Sequence, residues 1–203
     1  IGTGNVGRHA LTQLINDPQY ELTGVWVSSA AKTGKDAGEL AGLDISTGIK
    51  ATDDLDAILA AKPDCVVYNA LAETLPGGDE TAIREICALL ASGKNVSSTA
   101  ISHHVYPKVL PTAVRDRLDA ACDAGQSTFF SSGVNPGFAF DIWHITMTHL
   151  SRRIDHLVCS EFCDVAHYTS QNIMFFMGFG QAADFEAPII EAHRDEYRSA
   201  YYA

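Results

Sequence analysis

The amino-acid sequence predicts an α/β fold, a doubly wound parallel sheet followed by the start of an α/β substrate domain. Three observations predict it. A glycine-rich turn, Gly2-Thr3-Gly4-Asn5-Val6-Gly7, stands directly before a helical pattern. Short β-branched runs then alternate with helical runs as far as residue 131. The punctuation Gly133-Val134-Asn135-Pro136-Gly137 marks a change of pattern. These features divide the chain into a nucleotide-binding domain over 1–132, its first strand truncated, and an incomplete substrate or dimerisation domain over 133–203.

Each element follows from local chemistry. Val6, Ala10, Leu11, Leu14 and Ile15 recur at helical spacing, and Asp17-Pro18 stops the run. Glu21 to Ser28 is β-branched and aromatic and predicts a strand. Helices are expected near Asp36 to Leu40 and over Leu55 to Ala61, the second with Asp53 or Asp54 as N-cap. The run Asp64 to Asn69 predicts a strand covered on both faces. Glu80 to Ser92 is helical with Gly93 as its cap, and Asn95 to Thr99 is the next strand. Lys108 to Ala124 predicts a helix closed by Gly125, followed by a strand over Ser127 to Ser131. Phe138 to Leu150 predicts an amphipathic helix, and Arg153 to Tyr168 alternates like a strand.

Composition narrows the function classes. The chain has 203 residues, 46% of them hydrophobic, which is enough to bury a sizeable core and excludes a disordered chain. A formal charge of -11 opposes nucleic-acid binding through counterion release. No apolar window approaches the ~20 residues that span a bilayer, and no signal peptide precedes Ile1, so a cytoplasmic protein is expected. Cys65, Cys87, Cys122, Cys159 and Cys163 lack metal-binding spacing and are expected as small core residues. His144 and His149 lie five apart, a poor chelating interval, and no metal site is expected. Both ends look cut: Ile1 stands where the last residue of a buried strand belongs, and Tyr201-Tyr202-Ala203 stops within a helix-like stretch.

The glycine turn predicts a Rossmann dinucleotide site. Gly2 permits the tight turn, Gly4 admits a diphosphate to backbone N–H groups, and Gly7 lets the helix pack closely on the sheet. An NAD enzyme places an acid against the ribose about twenty residues on. Here the strand runs into Ser28, Ser29 and Lys32, with Lys35 beyond, which suits a 2′-phosphate and predicts NADP, with NAD as the alternative. Asn69, Ala70 and Leu71 leave the third strand toward the cofactor, and His103 and His104 lie in the loop after the fourth. Met174 to Phe179 is apolar, and core packing or a dimer interface is favoured over a pocket wall.

GTGNVGRHAL, VWVSS with the following KTGKDAG, GKNVSSTA, GVNPGFAFD and EFCDVAHY together resemble the dihydrodipicolinate reductase-like superfamily, and within it 2,4-diaminopentanoate dehydrogenases and native amine dehydrogenases. The resemblance implies an NAD(P)-binding Rossmann domain joined to an α/β substrate domain, usually as a homodimer. It also implies hydride transfer between the nicotinamide and an amine or imine carbon of a small-molecule substrate. It places cofactor contacts at Gly2, Thr3, Gly4, Asn5, Val6 and Gly7 and at Asn69, Ala70 and Leu71, and puts Asn135 and Pro136 near the substrate. Members that aminate ketones carry a Glu in the loop after the GKNV strand. This chain has Ser102, His103 and His104 there, so proton handling is expected from an imidazole. A non-catalytic nucleotide-binding protein and a dehydrogenase of hydroxy or aldehyde substrates are the alternatives.

Overall fold

A computed structural model describes residues 1–72, 75–168 and 171–190, without the side chains of His103, Val109 and Asn172. The chain separates into two compact units, Ile1–Gly133 and Val134–Ala203.

The first unit alternates helix and strand. Helix α1 (Asn5–Asn16) follows the glycine turn, strand β1 (Val25–Trp26) comes next, and the short helix α2 (Ala37–Ala41) leads to β2 (Ala51–Thr52). Then follow α3 (Leu55–Ala60), β3 (Cys65–Tyr68), α4 (Gly78–Ala91), β4 (Asn95–Ser98), α5 (Thr112–Gly125) and β5 (Phe129–Ser131). All the ladders are parallel: Val25 pairs with Ala51, Cys65 with Asn95 and Val96 with Phe129.

Ile1 and Gly2 run between the two halves of this sheet. The amide of Gly2 donates to Trp26 O at 3.1 Å on one side. On the other, Ile1 N donates to Val67 O at 2.7 Å, and Asn69 N donates to Ile1 O at 2.8 Å, the slanted pattern of a parallel pair. The resulting order is β2-β1-Ile1-β3-β4-β5, and the winding direction reverses at Gly2.

Side-chain alternation feeds two cores. Val25, Val27 and Ala51 pack with Leu11 of α1 and with Ala37 and Ala41 of α2. Trp26, one residue out of phase, joins Val66, Tyr68 and Val96 against α3, α4 and α5. Ile86, Leu89 and Leu90 of α4 are fully buried here, each stabilising by about 1.5–3 kcal/mol. Tyr68, with 0% exposure, donates its hydroxyl to Glu85 Oε2 at 2.7 Å, tying β3 to α4. Burial, then the Glu85 carboxylate, push that phenol's pKa far above its ordinary value.

Several expectations change. β3 is more deeply buried on one face than on the other: Val66 and Tyr68 are buried on the side where α3, α4 and α5 pack, while Val67 is half-buried and Cys65 exposed. Cys65 and Cys163 are therefore not core residues; Cys87 and Cys122 are partly buried, and burial pushes their thiols up. Helix α5 starts at Thr112, after Pro111, instead of at Lys108, and Gln126 (φ 50°) takes the left-handed position. Gly125 serves a different purpose, since a Cβ there would strike the Leu90 carbonyl at the close of α4.

The second unit holds α6 (Trp143–Thr148) and α7 (Gln171–Phe176) among its described residues. Phe138–Ile142 leads helically into α6, after a break in helical angles at Asn135, Pro136 and Gly137. Arg153 to Tyr168 forms no strand, because no described segment pairs with it; alternation supplies a face but not a ladder partner. Among the described residues no helix is long and apolar enough to cross a membrane.

Candidate functional site

The winding reversal puts the glycine loop between the carboxyl ends of β1 and β3, where open α/β sheets bind ligands. Gly2 has φ +82°, and a Cβ on it would meet the Ala70 backbone nitrogen at 2.6 Å. A Cβ on Gly7 would strike the Gly2 carbonyl, so the loop and the first turn of α1 interlock through missing side chains. Gly4 is different: nothing lies within 4 Å of its would-be Cβ. It is the N-cap of α1, no side chain caps that end, and the first turn carries no acid. Gly4, Asn5 and Val6 are exposed, leaving the positive end of a twelve-residue helix open to an anion.

Lys32 is brought to this loop from the far side of β1. It ends a short 3-10 turn, Ala30–Lys32, preceded by Ser29. Its ammonium donates to Thr3 O at 2.9 Å and to Thr3 Oγ1 at 3.2 Å. Ser28 and Ser29 are exposed just before it. Lys35 does not join them: its ammonium pairs with Glu39 at 2.6 Å, one helical turn on. The nearest acid in sequence, Asp36, is turned inward with 7% exposure. It caps α2 through Gly38 N at 2.9 Å and also accepts from Thr47 N, Thr47 Oγ1 and Gly48 N. Those donors, led by the Thr47 amide, hold its carboxyl well below the usual carboxylate range. The end of β1 therefore offers hydroxyls and one ammonium, with its carboxylate consumed elsewhere.

Asn69, Ala70 and Leu71 leave β3 beside the loop; Asn69 lies 3.7 Å from the would-be Cβ of Gly7, and Ala70 packs under Gly2. Thr99, at the end of β4, donates its hydroxyl to Asn69 Oδ1 at 2.9 Å, a contact that no motif announces. His103 and His104 sit on the 3-10 turn Ser102–Val105, but the His103 side chain lies outside the described residues. His104 is 2% exposed and meets Phe129 edge-on, its ring centroid 5.8 Å away. The loop thus turns one imidazole into the protein. Asn135 and Pro136 lie in the second unit, where Asn135 Nδ2 donates to Glu161 Oε2 at 2.7 Å.

A cavity of about 620 Å³ lies below the loop, lined by residues including Leu14, Tyr20, Gly24, Ile58 and Cys65. Its lining also includes Gly2, Thr3, Gly7 and Asn69, so the cavity reaches the glycine loop. Among the described residues no cluster of three or more His, Cys, Asp or Glu side chains could hold a metal ion.

A doubly wound parallel sheet, a glycine loop at its switch point and an open helix N-terminus define a Rossmann-type dinucleotide-binding fold. Residues 1–75 match the family described as dihydrodipicolinate reductase, N-terminus. It is 37% identical over 91% of its length to an amine dehydrogenase of Streptomyces virginiae, covering 51% of that protein. It is 30% identical over 53% of its length to a 4-hydroxy-tetrahydrodipicolinate reductase of Burkholderia multivorans, covering 40% of that protein. The chain thus spans about half the length, or less, of these curated relatives. The solved structure of an amine dehydrogenase from Mycobacterium smegmatis shares the fold, with a TM-score of 0.56 and 22% identity over 71% of this chain and 41% of that one.

Proposed function

We propose that this chain supplies the NADP-binding part of an oxidoreductase that moves a hydride between a nicotinamide and an amine or imine carbon. The observation that carries the cofactor choice is the Lys32 ammonium fixed on Thr3 beside an acid-free end of β1. Gly2 to Gly7 and the open end of α1 fit a diphosphate, because Gly4 leaves the space and the helix supplies the charge. Ser28, Ser29 and Lys32 would hold the 2′-phosphate, with Lys32 swinging from the loop carbonyl to the anion. Asn69, Ala70 and Leu71 would line the path toward the nicotinamide. Bound there, the cofactor supplies or accepts the hydride.

The relation to amine dehydrogenases supports a C–N centre as the substrate. With His104 buried, the proposal gives the proton at the reacting nitrogen to His103, because an imidazole can both donate and accept a proton. For Asn135 and Pro136 the proposal keeps substrate contact. It also keeps a cytoplasmic homodimer acting on a small molecule, supported by the family resemblance.

Titration of the purified chain with NADPH and NADH by cofactor fluorescence tests the binding half; tighter NADH binding overturns the NADP assignment. Absorbance at the NADPH band, with ketone plus ammonia or a cyclic imine, tests the chemistry. Oxidation only with hydroxy or aldehyde substrates in that assay would favour the alternative dehydrogenase.

A further inference from the structure

Asn69, like Asn5, is a predicted cofactor residue whose side chain can present either of two opposite faces. Its carboxamide carries an acceptor oxygen and a donor NH2 on one planar group, and a half-turn exchanges them. Half-buried against Gly7, it has its backbone amide fixed to Ile1 O at 2.8 Å, so only the side-chain orientation is open. Thr99 anchors that side chain. Its hydroxyl donates to Asn69 Oδ1 at 2.9 Å, and its own amide donates to Tyr68 O at 3.2 Å at the end of the β3–β4 ladder. With Oδ1 taken, Nδ2 faces away from Thr99, and among the described residues it has no hydrogen-bond partner.

We infer that Thr99 is a positioning residue that holds the Asn69 carboxamide at the switch point, where it would hydrogen-bond the dinucleotide's ribose-diphosphate stretch. This rests on the dinucleotide reading of the same loop. Without the Thr99 hydroxyl, no other described group anchors the Asn69 carboxamide.

The test compares Thr99→Val, Thr99→Ser and Asn69→Ala for NADPH affinity by calorimetry, with the Asn69 side-chain amide signals followed by 15N NMR in unliganded protein. Thr99→Val is expected to weaken NADPH about tenfold and Thr99→Ser to restore it to within about threefold, the scale of one fixed hydrogen bond. The Thr99→Val/Asn69→Ala double variant is expected to bind no worse than Asn69→Ala alone, because Thr99 acts through Asn69. Additive losses, or unchanged NADPH affinity in Thr99→Val, would overturn the inference. If the wild-type chain binds no dinucleotide, the cofactor assignment falls by itself and the NMR signals decide the positioning role. Asn69 signals that shift in Thr99→Val but not in Thr99→Ser uphold it, and signals indifferent to both sink it.

Discussion

At the scale of single residues, the loop's glycines have separable jobs. Gly7→Ala drives a methyl into the Gly2 carbonyl and is expected to lower thermal stability and dinucleotide affinity together. Gly4→Ala meets no protein atom, so it is expected to leave the melting temperature within about 2 °C while weakening NADPH about tenfold or more. Differential scanning fluorimetry with and without NADPH separates the two. Lys32→Ala is expected to weaken NADPH by about 10- to 100-fold, the loss of one charge-assisted hydrogen bond, and to spare NADH. Equal losses for both cofactors would remove Lys32 from the 2′-phosphate site. Asp36 makes a pH prediction. Its carboxyl is depressed in the folded chain, so its stabilisation is fully present above the unfolded carboxylate range and is lost as pH falls below about 4. Melting temperatures measured from pH 7 to pH 3 are expected to fall less steeply for Asp36→Asn, from a lower starting value.

The elements show what a linear pattern can and cannot carry. Helices α1 and α4 were legible because apolar spacing and their stop signals coincide, at Asp17-Pro18 and at Gly93. Strand β2 has two residues and follows a loop organised by Asp36, so no apolar run marks it. The 153–168 stretch fails for the opposite reason: it has the alternation, but pairing is a property of a second segment. Lys32 was legible from its distance along the chain from the glycine turn, since the βαβ unit fixes where that distance leads. Thr99 was not, because its relation to Asn69 exists only once β3 and β4 lie in register. His104 carried a polar label, yet the turn after β4 places it inside. Packing gives the element-scale prediction. Leu89 in α4 is fully enclosed between the sheet and α5, and Leu89→Ala is expected to cost about 2–5 kcal/mol in denaturant unfolding.

Across the whole molecule, the two units differ in how completely they bury themselves. Among the described residues, the first unit carries both hydrophobic cores. The second exposes large apolar side chains, Phe162 at 95% and Leu150 at 79%, and bonds largely within its own turns. We propose that the junction at Gly133 is a domain boundary, so brief proteolysis is expected to cut in or beyond Gly133–Pro136 first and leave a resistant first unit. Mass spectrometry of the fragments checks this; early cleavage within α4 or α5 would contradict it. The second unit's apolar surface is expected to bind a hydrophobic dye in the intact chain, a signal that disappears with the released fragment.

The Lys32–Thr3 contact has a thermodynamic consequence. A lysine that meets a phosphate from free solution surrenders rotamer freedom worth about 0.5–1.5 kcal/mol. Here that freedom is already surrendered to the loop before any ligand arrives, and the ammonium needs only to exchange one oxygen for another. In the proposed 2′-phosphate site, recognition of the phosphate would be a trade of enthalpies with little entropy left to lose.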